Sequence, residues 1–137
     1  MTRQDGESDG GSLLLLSRWP AVVFVAAVIV VLGELPPRAF PRDPLIPHAD
    51  KIVHFIEYLV LGALLFRSLC HDLSGNLRLA GIMTLAAGTL FGLVGEWRQS
   101  YAGRTADAWD LLADVAGLVC GVVCIIAARR WRRKHVD

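Results

Sequence analysis

The sequence predicts an all-α integral membrane protein, a four-helix bundle with both termini cytoplasmic. Three observations carry this. Hydrophobic residues make up 54% of 137 residues, well above what a soluble domain of this length needs. They are gathered into long runs separated by polar turns. Lys and Arg are shared unequally between alternate turns. The net charge of +1 gives no global field for nucleic acid, and none is expected as a partner.

Residues 1–12 are polar and Gly-rich, bury too little apolar surface to offset ordering, and are expected to be a disordered tail. The domain follows over 13–131, with helices at about 15–33, 51–69, 77–101 and 107–130. Residues 132–137 form a basic C-terminal tail. The first apolar run has neither the basic start nor the small-residue cleavage pattern of a signal peptide, so it reads as an uncleaved span.

The segment from Glu34 to His48 contains five of the six prolines and cannot continue a helix; it is expected to be a semi-rigid extended loop. Asp50 is a candidate N-cap for the second helix. A short turn at Ser74-Gly75-Asn76 makes the second and third helices a tight antiparallel hairpin. The fourth helix begins after the Gly103-Arg104 turn and ends in the basic run from Arg129 to Lys134.

Orientation follows from the basic residues. Nine of the fourteen (Arg3, Arg18, Arg67, Arg78, Arg129, Arg130, Arg132, Arg133 and Lys134) fall on one side, which is assigned as cytoplasmic. The other five are Arg38, Arg42, Lys51, Arg98 and Arg104. Trp97, Tyr101 and Trp109 then fall at the outer boundary, where interfacial aromatics belong. Cys70, Cys120 and Cys124 lie in apolar segments with no exported counterpart. They define no disulfide framework, and the one-turn spacing of Cys120 and Cys124 reads as packing.

Candidate functional residues converge by helical spacing. Asp50, His54, Glu57 and Tyr58 share one face of the second helix. Gly88, Gly92, Gly95, Glu96 and Gln99 form a stripe on the third. Asp107, Asp110, Asp114, Gly117, Gly121 and Cys124 form one on the fourth. Each stripe is polar toward the outside and small toward the inside, so the helices are expected to pack closely below an outward-facing polar cup. Ionisable residues inside spans are rare and usually functional, which singles out His54, Glu57, Glu96, Arg104, Asp110 and Asp114. Lys51, Arg98 and Asp107 are better explained by helix capping and charge neutralisation than by function. The cup holds six acids against Lys51, Arg98 and Arg104 plus His54. This excess favours protonated carboxylates or a bound cation, and suits hydroxyl- or amine-bearing ligands.

The series Asp50-Lys51-x-x-His54-Phe55-x-x-Tyr58-x-x-Leu61-Gly62, Glu96-x-x-Gln99, Gly103-Arg104, Asp110-Leu111 and Gly117-x-x-x-Gly121 resembles the VanZ-like family over about the last two thirds of the chain. Where the family usually has Asn after its Asp-Leu pair, this chain has Asp114. The resemblance implies a small multi-pass protein of the bacterial plasma membrane. It also implies a link to the cell envelope, since the founding member is associated with resistance to the lipoglycopeptide antibiotic teicoplanin.

Three functions fit these residues. The first is binding of a membrane lipid headgroup, glycolipid or lipoglycopeptide antibiotic through Asp50, Lys51, His54, Tyr58, Glu96, Gln99, Arg104, Asp110 and Asp114. The second is an enzyme acting on a lipid-linked envelope substrate. There His54 would serve as base or metal ligand, Glu57 and Glu96 as ligands or acid/base partners, Asp110 as the group orienting His54, and Arg104 as phosphate clamp. The third is a proton-coupled transporter or assembly partner, which calls for a homo-oligomer. No cofactor and no metal ligand set is assigned from the sequence.

Overall fold

The computed structural model describes residues 18–34, 49–101 and 107–135. The N-terminal tail, the proline-rich segment at 35–48 and the turn containing Gly103 and Arg104 lie outside them. Among the described residues there are four helices and no strands: α1 (Trp19–Gly33), α2 (Ala49–Asp72), α3 (Leu77–Tyr101) and α4 (Ala108–Lys134). The last three have 24, 25 and 27 residues and are long and apolar enough to cross a membrane. At about 1.5 Å per residue each spans roughly 36–40 Å. The described part of α1 is shorter, at 15 residues, and positions 15–17 of the expected first span lie outside it.

Two helices differ from expectation at their ends. α2 starts at Ala49, which puts Asp50 inside its first turn rather than at the N-cap, and it runs on to Asp72. α4 continues through Lys134, so most of the expected basic tail is helical. Arg, Lys and Trp are compatible with helix, and cations in a last turn complement its negative pole.

The hairpin between α2 and α3 closes as its sequence indicates. Ser74 and Gly75 take positive φ of 51° and 82°, and the Gly75 amide donates to the Cys70 carbonyl at 2.8 Å. Asn76 then accepts from the Leu79 amide at 3.1 Å, capping α3.

The helices alternate in direction, so α2 and α4 run parallel. Their register is visible in side-chain pairs: Lys51 meets Asp110 and His54 meets Asp114. Glycines set the approach. A Cβ on Gly62 would lie 2.9 Å from the Leu118 Cα, and one on Gly121 would lie 2.7 Å from the Ala63 backbone nitrogen. A Cβ on Gly117 would likewise strike the backbone of Phe55 and Leu59. Leu118 is fully buried between Gly62 and Gly88 and joins Val22, Ile29, Tyr58 and Leu61 in the core where the helices meet. A second cluster of Phe66, Leu69, Cys70 and Ala80 fills the end near the α2–α3 turn.

The surface is inverted relative to a water-soluble bundle. Phe24, Leu90 and Ile82 are 68%, 61% and 66% exposed, while Asp110, Asp114 and Glu96 are buried. In water such a surface would drive aggregation; against hydrocarbon it is the expected arrangement. α1 is held at both ends, through Trp19 Nε1 donating to Asp72 Oδ2 at 3.0 Å and Arg98 of α3 pairing with Glu34 at 2.5 Å.

Gly117→Val should disrupt the bundle, because the new side chain meets α2 backbone that cannot rotate away. We expect a loss of about 1–3 kcal/mol or more, read as a lower thermal midpoint in detergent. Gly95→Ala, where a Cβ meets nothing within 4 Å, should leave the midpoint unchanged or raise it.

Candidate functional site

The N-termini of α2 and α4 and the C-terminus of α3 come together at one end of the bundle, and the polar side chains collect there. The amides of an N-terminal turn lack intrahelical partners and favour negative charge. Part of the acidity answers that local need. Asp107 has an extended backbone, and its side chain accepts from the Trp109 amide at 3.0 Å as the N-cap of α4. Glu96, reaching from α3, accepts from the Asp107 amide at 3.1 Å. Asp50 and Asp110 sit in the first turns of α2 and α4.

Lys51 gathers the rim. Its Nζ lies 3.2 Å from Asp50, 2.7 Å from Asp107 and 2.6 Å from Asp110, so one ammonium offers its three protons to three carboxylates. Deeper by one turn, His54 Nδ1 lies 3.0 Å from Asp114 Oδ1. Asp114 is 1% exposed, too far along α4 to cap it, and His54 is its hydrogen-bonding side-chain partner. A carboxylate accepts, so Nδ1 carries the proton in this contact and Nε2 is left to act. Gly92, expected as a packing residue of α3, makes room for this pair. A Cβ there would lie 2.9 Å from Asp114 Oδ2 and 3.4 Å from the Tyr58 hydroxyl. Tyr58 forms the floor, buried with its ring tilted against Phe91 at 6.2 Å. Glu57, half-buried on the same face of α2, has a buried Oε1 with no hydrogen-bond partner among the described residues.

Of the expected site residues, Asp50, Lys51, His54, Tyr58, Glu96, Asp110 and Asp114 meet in this cluster, joined by Asp107. Arg104 lies outside the described residues. Gln99 turns toward α1, its Nε2 3.0 Å from where a Cβ on Gly33 would stand. The group orienting His54 is Asp114 rather than Asp110, which is drawn off by Lys51. The Arg98–Glu34 tie joins segments 64 residues apart, and no helical spacing rule points to it.

His54, Glu96 and Asp110 each offer a ligand atom within 4.8 Å of the others. In the last turns of α3 and the first turn of α4, Trp97, Tyr101 and Trp109 are exposed, with Trp97 and Tyr101 in edge contact at 5.3 Å. Aromatics so placed suit a membrane–water interface, with a wet polar end above apolar helix surface.

These features define a small polytopic α-helical membrane protein whose ionisable groups are enclosed at one end. The family model described as VanZ/LLP1 matches residues 10–129, nearly the whole chain, and the protein belongs to that family. Comparison with curated proteins and with solved structures returned no match.

Lys51→Met should destabilise the bundle by on the order of 2 kcal/mol, because it leaves buried Asp110 beside Asp107 without their shared cation. The figure is reduced for the partial exposure of Lys51. Lys51→Met combined with Asp110→Asn should recover much of that loss, which a double-mutant cycle of thermal midpoints measures.

Proposed function

We propose that this VanZ-family membrane protein binds the polar head of a cell-envelope amphiphile at the end of the bundle where α2, α3 and α4 bring their charged side chains together. The ligand would be a lipid headgroup, a glycolipid or a lipoglycopeptide, with its tail lying against the exposed apolar helix surface. The observation that carries this reading is the adjacency of the two surfaces. The buried carboxylates Glu96 and Asp110 adjoin in sequence the exposed Trp97 and Trp109, in the last turns of α3 and the first turn of α4, with Tyr101 exposed at the same end of α3. A ligand able to use both must itself be polar at one end and apolar at the other. The surplus of acceptors suits hydroxyl and amine groups better than a bare anion.

The same proposal has the cup facing outward and both termini in the cytoplasm of a bacterial cell. The unequal distribution of Lys and Arg supports that orientation, above all the run at the end of α4.

A second reading, catalysis on a lipid-linked substrate, is favoured by one specific contact. An imidazole held through Nδ1 by a buried carboxylate is oriented to accept a proton at Nε2. Under that reading His54 is the base and Asp114 its orienting group.

Native mass spectrometry of the gently extracted protein distinguishes these outcomes. One amphiphile should be retained per chain, and Glu96→Gln or His54→Gln should reduce its occupancy severalfold. Recovery of bulk phospholipid alone, unchanged by either substitution, would count against the headgroup reading. Turnover of a lipid-linked substrate that is lost in His54→Gln would move the assignment to the second.

A further inference from the structure

The carboxylates of the cluster divide by what they do for the fold. Asp50 and Asp107 belong to the rim and serve Lys51 and the start of α4. A different set faces inward. Glu96, Asp110 and Asp114 are buried, and Glu57 is half-buried with one oxygen lacking a partner among the described residues. Among the described residues, Lys51, bonded to Asp110, and His54, bonded to Asp114, stand against these four. Carboxylates removed from water are stable only when opposed by positive charge, protonated, or coordinated.

Geometry shows where a further positive charge fits. One imidazole and two carboxylates, from His54 on α2, Glu96 on α3 and Asp110 on α4, bring their ligand atoms within 4.8 Å of one another. Three helices each supply one ligand, so the spacing depends on the bundle and not on a flexible loop. The carboxylate behind the imidazole adds to the fit. Asp114 takes His54 Nδ1 at 3.0 Å, which holds the ring and leaves Nε2 as the nitrogen available to a ligand. A carboxylate on the far side of the imidazole is the usual companion of a metal-bound histidine.

We propose that His54, Glu96 and Asp110 form a binding site for a single divalent transition ion, with Asp114 positioning His54 from behind. One nitrogen and two carboxylate donors suit zinc or manganese better than calcium or magnesium, which take oxygen shells. Three protein ligands leave a coordination position for water or a ligand oxygen. Lys51 is a competitor, since its ammonium occupies Asp110 Oδ1 at 2.6 Å. Metal entry draws that carboxylate away from Lys51, which retains Asp50 and Asp107.

The ion site shares His54 and Glu96 with the headgroup reading, but its test needs no amphiphile and so succeeds or fails separately. Full-length protein in detergent, stripped with chelator, is titrated with Zn2+ by calorimetry and with Co2+ by visible absorption. One ion should bind per chain, the cobalt bands should report mixed nitrogen and oxygen ligation, and the thermal midpoint should rise with ion concentration. His54→Gln and Glu96→Gln should abolish one-to-one binding. Asp114→Asn should weaken it by about 10–100-fold while keeping the stoichiometry. Lys51→Met should strengthen it. The titration of the unmutated protein decides the matter even where a variant fails to fold. Absence of stoichiometric binding at micromolar ion overturns the site, as does a cobalt spectrum unaltered in His54→Gln.

Discussion

The parallel approach of α2 and α4 is the constraint on which the rest depends. Hydrocarbon provides no hydrophobic drive for one apolar helix to join another, so association rests on close packing and on polar contacts. Gly62, Gly117 and Gly121 supply the first, bringing backbone against backbone with no space for a Cβ. Contact this close leaves little freedom to slide. One turn above Gly117 the helices present His54 to Asp114, and one turn further Lys51 to Asp110. A slip of a single turn, about 5.4 Å, would separate both pairs. The glycines therefore govern the polar end as well as the packing below it.

Burying acids inside a membrane bundle is costly, and the arrangement shows how the cost is offset. Two parallel helices place two positive N-terminal poles at the same end, and α3 brings Glu96 to the Asp107 amide there. Lys51 is shared among three carboxylates, so one cation serves several anions at the rim, where it keeps some contact with water. Asp114 has neither help: it lies beyond the first turn of α4, is almost fully enclosed, and relies on His54. The rim is accounted for by folding; the His54–Asp114 pair is not.

Much of this was legible in the sequence because helical spacing determines which residues share a face. The stripe Asp107, Asp110, Asp114, Gly117 and Gly121 reads directly as an acidic top on a small-residue seam, and the structure uses it so. Spacing does not determine which turn of one helix stands level with which turn of another. That is why Asp110 and Asp114, one turn apart on the same face, are exchanged as partners of His54. Helix ends were less legible for a related reason. Membrane thickness limits the apolar run, but α2 and α4 continue past it wherever the flanking residues tolerate helix, as Arg132, Arg133 and Lys134 do. The Arg98–Glu34 and Trp19–Asp72 ties depend on where α1 docks, which no local pattern records.

Asp114 is the most enclosed acid of the cluster. A neutral amide at this position could satisfy the imidazole without adding charge. A carboxylate in the same place makes His54 a stronger electron donor at Nε2 and a better base or ligand. It also adds a negative charge at the most enclosed point of the cluster, beside the Tyr58 hydroxyl and the space that Gly92 keeps open. Stability alone would favour the neutral side chain in surroundings so poor in water. The contact that offsets this cost is the hydrogen bond to His54 Nδ1 at 3.0 Å, which couples the deepest acid of the cluster to its imidazole.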